Sequence, residues 1–159
     1  MANTTTFPYV NGTVSTKTIA PRELGVVTNY ALIADEPTKV VFNNKTCPLD
    51  RPEFLAYKCQ NIGKVNTSIP VQYPSKVTAG IQYSVTLEEV LTTTSSTDAS
   101  YRVDEPLVIT IGIRHQKSSN ITDTLVQEAF ERALGALRKA DGTYRFKEMM
   151  RSALKPTVD

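Results

Sequence analysis

The side chains best suited to catalysis or metal binding are few in this sequence, and they are scattered. It carries one histidine, His115, and two cysteines, Cys47 and Cys59. A zinc site wants about four nitrogen or sulfur ligands. One histidine and two separated thiols do not supply them, and no CxxC occurs. A serine–histidine pair would need a nucleophile elbow such as GxSxG, which is absent. His115 therefore reads as a surface residue, and the cysteines as two reduced thiols. Glu88 and Glu89 are adjacent, but neighbours on a strand point to opposite faces. Joint acid–base work would need a bulge to realign them. There is no P-loop, GxGxxG, HExxH or EF-hand loop. The expectation is a protein that is not an enzyme and takes no cofactor and no metal.

What the chain does offer is a two-sided sheet. In residues 53–62, Leu55, Tyr57 and Cys59 fall on one face, and Ala56, Lys58 and Gln60 on the other. In residues 80–91, Ile81, Tyr83, Val85 and Leu87 alternate with Gln82, Ser84, Thr86 and Glu88. In residues 107–115, Leu107, Ile109, Ile111 and Ile113 alternate with Val108, Thr110, Gly112 and Arg114. This period of two is that of an antiparallel sheet packed on one side only. The other side collects Lys58, Gln60, Ser84 and Thr86, with Lys64 and Arg114 at its margins. Hydroxyls, amides and cations on an open sheet face can meet water. They can equally meet RNA, where cations hold phosphates and hydrogen-bonding side chains read unstacked bases.

The remaining elements follow from punctuation. Residues 1–23 predict a polar hairpin turning at Asn11-Gly12, with Pro8 at an edge. Residues 25–34 and 39–42 predict strands, the second ended by Asn43-Asn44, and residues 45–52 a loop. Residues 63–79 alternate but contain Pro70 and Pro74, so they predict an irregular edge strand or a long excursion. The alternation slips at Glu88-Glu89-Val90, which predicts a bulge. Residues 92–100 form a polar loop. Thr122 is a suitable N-cap for a helix bearing the stripe Val126, Phe130, Ala133, Leu134 and Leu137, closed by Asp141-Gly142. That helix is ~18 residues, or ~27 Å, long. Thr143 caps a second helix with Phe146, Met149, Met150, Ala153 and Leu154 on one face, ended by Pro156.

At 159 residues the chain reads as a single domain, residues 1–159, made of an N-terminal hairpin (1–23), a sheet (25–117) and two helices (121–156). A net charge of +2, from 18 basic and 16 acidic residues, does not by charge alone announce a nucleic-acid binder. The first residues, MANTTTFPYV, lack the basic and apolar regions of a signal peptide. No apolar run reaches the ~18 residues that span a bilayer, so no membrane partner is expected.

Three stretches carry a resemblance. AYKC (56–59), QYSVTLE (82–88) and YRVDEPLVITIGI (101–113), followed by two helices ending in Leu154-x-Pro156, resemble in order and kind the coat proteins of single-stranded RNA bacteriophages of the levivirus type. The likeness covers roughly residues 53–156. It implies an α+β fold with an N-terminal β-hairpin, a five-stranded antiparallel meander and two C-terminal α-helices. It implies an interlocked, obligate homodimer in which each subunit's helices lie on its partner's sheet. It further implies an icosahedral shell around single-stranded genomic RNA, a virion location after assembly in the host cytoplasm, and repression of replicase translation through an RNA hairpin. The RNA-contacting set would be Lys58, Gln60, Lys64, Ser84 and Thr86, and residues 92–100 would mediate contacts between dimers at the symmetry axes. The competing expectations are a cellular α+β RNA-binding module without a shell, and a small enzyme whose polar cluster the sequence does not display.

Overall fold

The computed structural model describes Thr5, Phe7, Pro8, Arg22 and residues 24–151. The hairpin expected in residues 1–23, and the end of the second helix with Ala153, Leu154 and Pro156, lie outside the described residues. The chain divides into two units. One is Arg22–Lys117, and the other combines Met1–Pro21 with Ser118–Asp159.

The first unit is one five-stranded antiparallel sheet in the order β1-β2-β3-β4-β5. Its strands are β1 (Tyr30–Glu36), β2 (Lys39–Asn44), β3 (Phe54–Ile62), β4 (Gly80–Thr94) and β5 (Arg102–Gln116). Sequence neighbours are sheet neighbours throughout, as expected of a meander. Pro37 and Thr38 alone connect β1 to β2, where Glu36 pairs with Lys39. β5 is an edge, which accommodates Pro106 within a strand.

The sheet departs from the sequence expectation in several places. Residues 25–29 are not strand. Gly25 takes φ 58°, and α1 (Val26–Asn29) makes one helical turn. The side chains of Thr28 and Asn29 bond back to the carbonyls of Gly25 and Leu24 at 3.0 and 3.2 Å. Short polar side chains thus offered the backbone a local alternative to the ladder. β2 runs on through Asn43 and Asn44, because Asn44 Nδ2 donates to Glu53 Oε1 at 2.9 Å. Glu53 Oε1 also accepts from the Tyr30 hydroxyl. The bulge expected at Glu88–Val90 is absent, since β4 and β5 pair without a slip from Gly80↔Gln116 to Thr94↔Arg102. Fifteen consecutive pairs leave no residue of either strand unmatched, and Glu89 takes its turn on the apolar face. The register shift occurs instead between Leu32 and Ala34, in β1.

Burial is confined. Leu55, opposite Phe42 and Leu87, is 1% exposed, and Tyr30 is also buried. The apolar face made by Tyr57, Val85, Ile109 and Ile111 remains exposed. His115 is half-buried on that face rather than a surface residue. Its ring meets Tyr83 edge-on at 5.8 Å, and its Nδ1 lies 2.8 Å from the Gln116 carbonyl. Cys47 and Cys59 are free thiols.

The second unit contains α2 (Asp123–Gly135) and α3 (Phe146–Met150). Thr122 caps α2 as expected, its hydroxyl accepting from the Leu125 N–H at 3.4 Å. The helix is shorter than its apolar stripe suggests. It stops at Gly135, a poor helix former. The chain then closes a turn in which the Lys139 N–H donates to Thr143 and the Arg145 N–H to Leu137. Arg138 anchors that turn by donating to the Gly142 carbonyl at 2.6 Å and lying over the Tyr144 ring at 5.4 Å. Thr143 does not cap α3. Its hydroxyl and its N–H both bond to Asp141, and Arg145 precedes the helix. Phe146, Met149 and Met150 are exposed.

Candidate nucleic-acid interface

Strand pairing fixes which side chains share a face. Lys58 pairs with Ser84, and Ser84 with Gly112. One row away lie Ala56, Thr86 and Thr110; on the other side lie Gln60, Gln82 and Arg114. Four of the five residues expected to contact RNA, Lys58, Gln60, Ser84 and Thr86, therefore sit on three consecutive rows of the polar face. Lys64 does not. It lies beyond the end of β3, in the connection to β4.

The pairings add residues that the sequence reading left at the margin or missed. Lys39 is the β2 partner of Lys58, so two cations stand side by side. Arg114 is the β5 partner of Gln82. Thr110 joins Thr86 through a hydroxyl–hydroxyl bond of 3.1 Å. No signal in a single strand reveals such neighbours; they follow from register alone. Gly112 leaves the central row without a side chain, and a Cβ there would find only Ser84 Cβ, at 3.9 Å.

Charge is divided along this face. Lys39, Lys58 and Arg114 occupy the end nearest the β3–β4 connection, with Glu36 of β1 on the far side of Lys39, and Lys64 and Lys117 lie just beyond it. Toward the β4–β5 turn the face carries Glu88, then Asp104 and Arg102. There Arg102 holds Asp104 with two bonds, at 3.0 and 2.7 Å, and reaches Asp50 of the β2–β3 loop at 2.8 Å. Thr92 also donates to Asp104, at 2.6 Å. The Arg102 guanidinium lowers the pKa of both carboxyls, and its own is raised by them. Asp98, in the turn itself, is lowered chiefly by the Ser100 hydroxyl. Tyr30 moves the other way: burial, and then Glu53, push its phenol well above the ordinary value. The cations at the basic end can neutralise phosphates, while the clasp at the other end satisfies its own charges. Among the described residues no group of three or more His, Cys, Asp or Glu side chains could hold a metal, and no helix is long and apolar enough to cross a membrane.

A single antiparallel meander followed in the chain by helices is an α+β architecture. The chain matches the subunit of a virus-like particle of bacteriophage AVE015 with a TM-score of 0.86, over 98% of this chain and 99% of that one, at 22% sequence identity. It matches the subunit of a virus-like particle of bacteriophage GQ-112 with a TM-score of 0.78, over 96% and 98%, at 8% identity. At these identities the likeness is one of fold, the fold that the levivirus-type resemblance leads one to expect. No protein-family model matches the sequence, and no curated protein sequence matches it.

Proposed function

We propose that the chain is the coat subunit of a single-stranded RNA phage. Two copies join edge to edge through β5 to form one ten-stranded sheet, and each lays its helices on the partner's apolar face. The pairs assemble in the host cytoplasm into an icosahedral shell around the RNA, with residues 92–100, of which 92–94 are the end of β4, contributing contacts between pairs. The observation that carries this reading is the exposed apolar sheet face, in a fold shared end to end with subunits of phage particles. Tyr57, Val85, Ile109 and Ile111 form a continuous apolar surface, of the kind that marks an interaction site in a soluble protein.

The polar face then turns toward the RNA. Lys58 holds a phosphate, with Gln60, Ser84 and Thr86 nearer the bases and Lys64 at the rim. The same face binds a hairpin of the genome and thereby represses replicase translation. Electron microscopy of the expressed protein tests the shell, and a soluble monomer under all assembly conditions would overturn it. Lys58→Ala tests the face. It should weaken RNA binding, reduce the salt slope by about 0.7–0.9 for one lost phosphate contact, and leave dimers intact. Unchanged affinity and slope would remove Lys58 from the interface.

A further inference from the structure

Residues 63–79, between β3 and β4, contain no helix or strand. Their base is firmly placed. Ile62 pairs with Gly80, and the Lys117 N–H donates to the Ala79 carbonyl at 2.9 Å. Val65 folds back so closely that a Cβ on the buried Gly80 would lie 2.6 Å from Val65 Cγ2. Gly80 belongs to the polar-face series Gly80, Gln82, Ser84, Thr86. The loop therefore starts on the polar side of the sheet, at its basic end. It has Lys64 and Lys76 and no acidic residue. Tyr73, near its tip, is 85% exposed and stands between Gln72 and Pro74. Pro70 and Pro74 restrict the backbone on either side of Val71-Gln72-Tyr73, which lowers the entropy cost of presenting it.

Reach decides what Tyr73 can meet. Ala79 lies six steps along the chain from Tyr73, so an extended segment spans up to ~20 Å at ~3.3 Å per residue. The row Lys58–Ser84–Gly112 lies four residues along β4 from Gly80, or ~13 Å at the same rise. Tyr73 can therefore come over that row. The row has a cation at one side, a hydroxyl in the middle and bare backbone at Gly112.

We propose that residues 63–79 form an RNA clamp, in which Tyr73 stacks on a nucleobase lying over the open floor at Gly112 while Lys64 and Lys76 take flanking phosphates. This rests on the RNA-facing reading of the sheet and adds to it an element outside the strands. A phenol ring is a suitable lid because every base offers a π-face, and stacking needs no sequence match. The charge of the loop and of the face beneath it favours RNA over a protein partner as the occupant.

The test is binding of fluorescently labelled oligoadenylate by the full chain, at several salt concentrations, below the protein concentration at which shells form. Tyr73→Ala should lower affinity about 5- to 150-fold, the range for one lost base–aromatic stack, with the salt slope unchanged. Tyr73→Phe should retain affinity. Lys64→Gln with Lys76→Gln should lower the slope by about 1.4, as for two single-strand phosphate contacts. Gly112→Val fills the floor at a position open to a side chain. It should weaken binding alone and add little to Tyr73→Ala. Wild-type affinity in Tyr73→Ala, alongside a weakened Lys58→Ala, would overturn the clamp and leave the RNA-facing sheet standing. Impaired shell assembly in Tyr73→Ala with RNA affinity intact would also overturn it, and would assign the loop to a contact between subunits. An unsubstituted chain that does not bind oligoadenylate would remove both readings together.

Discussion

Replacing Ile111 by threonine separates a chain whose apolar face is finished from one whose face awaits a partner. Ile111 pairs with Val85, and Val85 with Tyr57, in the middle of the apolar face. The residue is 44% exposed. Threonine is also β-branched and favours strands, so the sheet itself should tolerate the change. In a free monomer, an exposed substitution of this kind stays within about 0.5 kcal/mol. In the proposed dimer the exposed part becomes covered. Full burial of an isoleucine stabilises by about 1.5–3 kcal/mol, and 44% of that is roughly 0.7–1.3 kcal/mol per subunit. Each dimer contains the position twice, so dissociation should become easier by about 1.3–2.6 kcal/mol, or roughly 10- to 80-fold in Kd. Burying the new hydroxyl adds to the loss unless it finds a partner. Sedimentation across a dilution series reads the Kd, and urea unfolding at several concentrations reads the coupling of folding to association. If both proteins unfold at one midpoint whatever the concentration, and differ by less than about 0.5 kcal/mol, the covered-face argument is wrong.

Two further expectations concern the sheet's ends. The carboxyls of Asp50, Asp98 and Asp104 all have folded pKa values below the ordinary 3.8. The stabilisation they bring is complete above the unfolded value and is lost as pH falls through the folded ones. Carboxyl NMR titration should place all three inflections below 3.8. Arg102→Gln should raise those of Asp50 and Asp104 while leaving Asp98, which depends on Ser100. Ordinary titration of Asp50 and Asp104 in the unsubstituted chain would mean that the clasp between the β2–β3 loop and β5 does not form in solution. Gly80→Ala would place a methyl 2.6 Å from Val65 Cγ2 and 3.0 Å from the His115 carbonyl. It should cost about 1–3 kcal/mol by overpacking. A denaturation midpoint equal to wild type would show that Val65 does not close over the sheet there.

The correct expectations rested on local periodicity, and the corrected ones on competition between neighbours. Alternation assigned residues 55–60, 81–88 and 107–114 to their faces, because side-chain direction in a strand depends on parity alone. Thr122 was legible as an N-cap because its hydroxyl needs only the next turn of backbone. Val26–Asn29 was misread because apolar content suits a strand, while Gly25, Thr28 and Asn29 together stabilise a turn. The bulge at Glu88–Val90 was inferred from side-chain type, but a fifteen-pair ladder with β5 outweighs one charged residue on the wrong face. The first helix was drawn to the end of its apolar stripe, whereas Gly135 and the turn held by Arg138 end it sooner.

Neighbours along the chain suffice to set side-chain parity within a strand, because parity needs no partner, and the meander order was expected from the resemblance to levivirus-type coat proteins. Which residues stand across from one another follows from the fold. Register placed Lys39 beside Lys58, brought Arg114 to Gln82, and put bare backbone at Gly112 in the row of Ser84. It also tied residues 63–79 to the basic end of the polar face, through Val65 and a glycine that leaves room for it. Long-range pairing is set by the summed fit of many residues, and no single segment carries that sum.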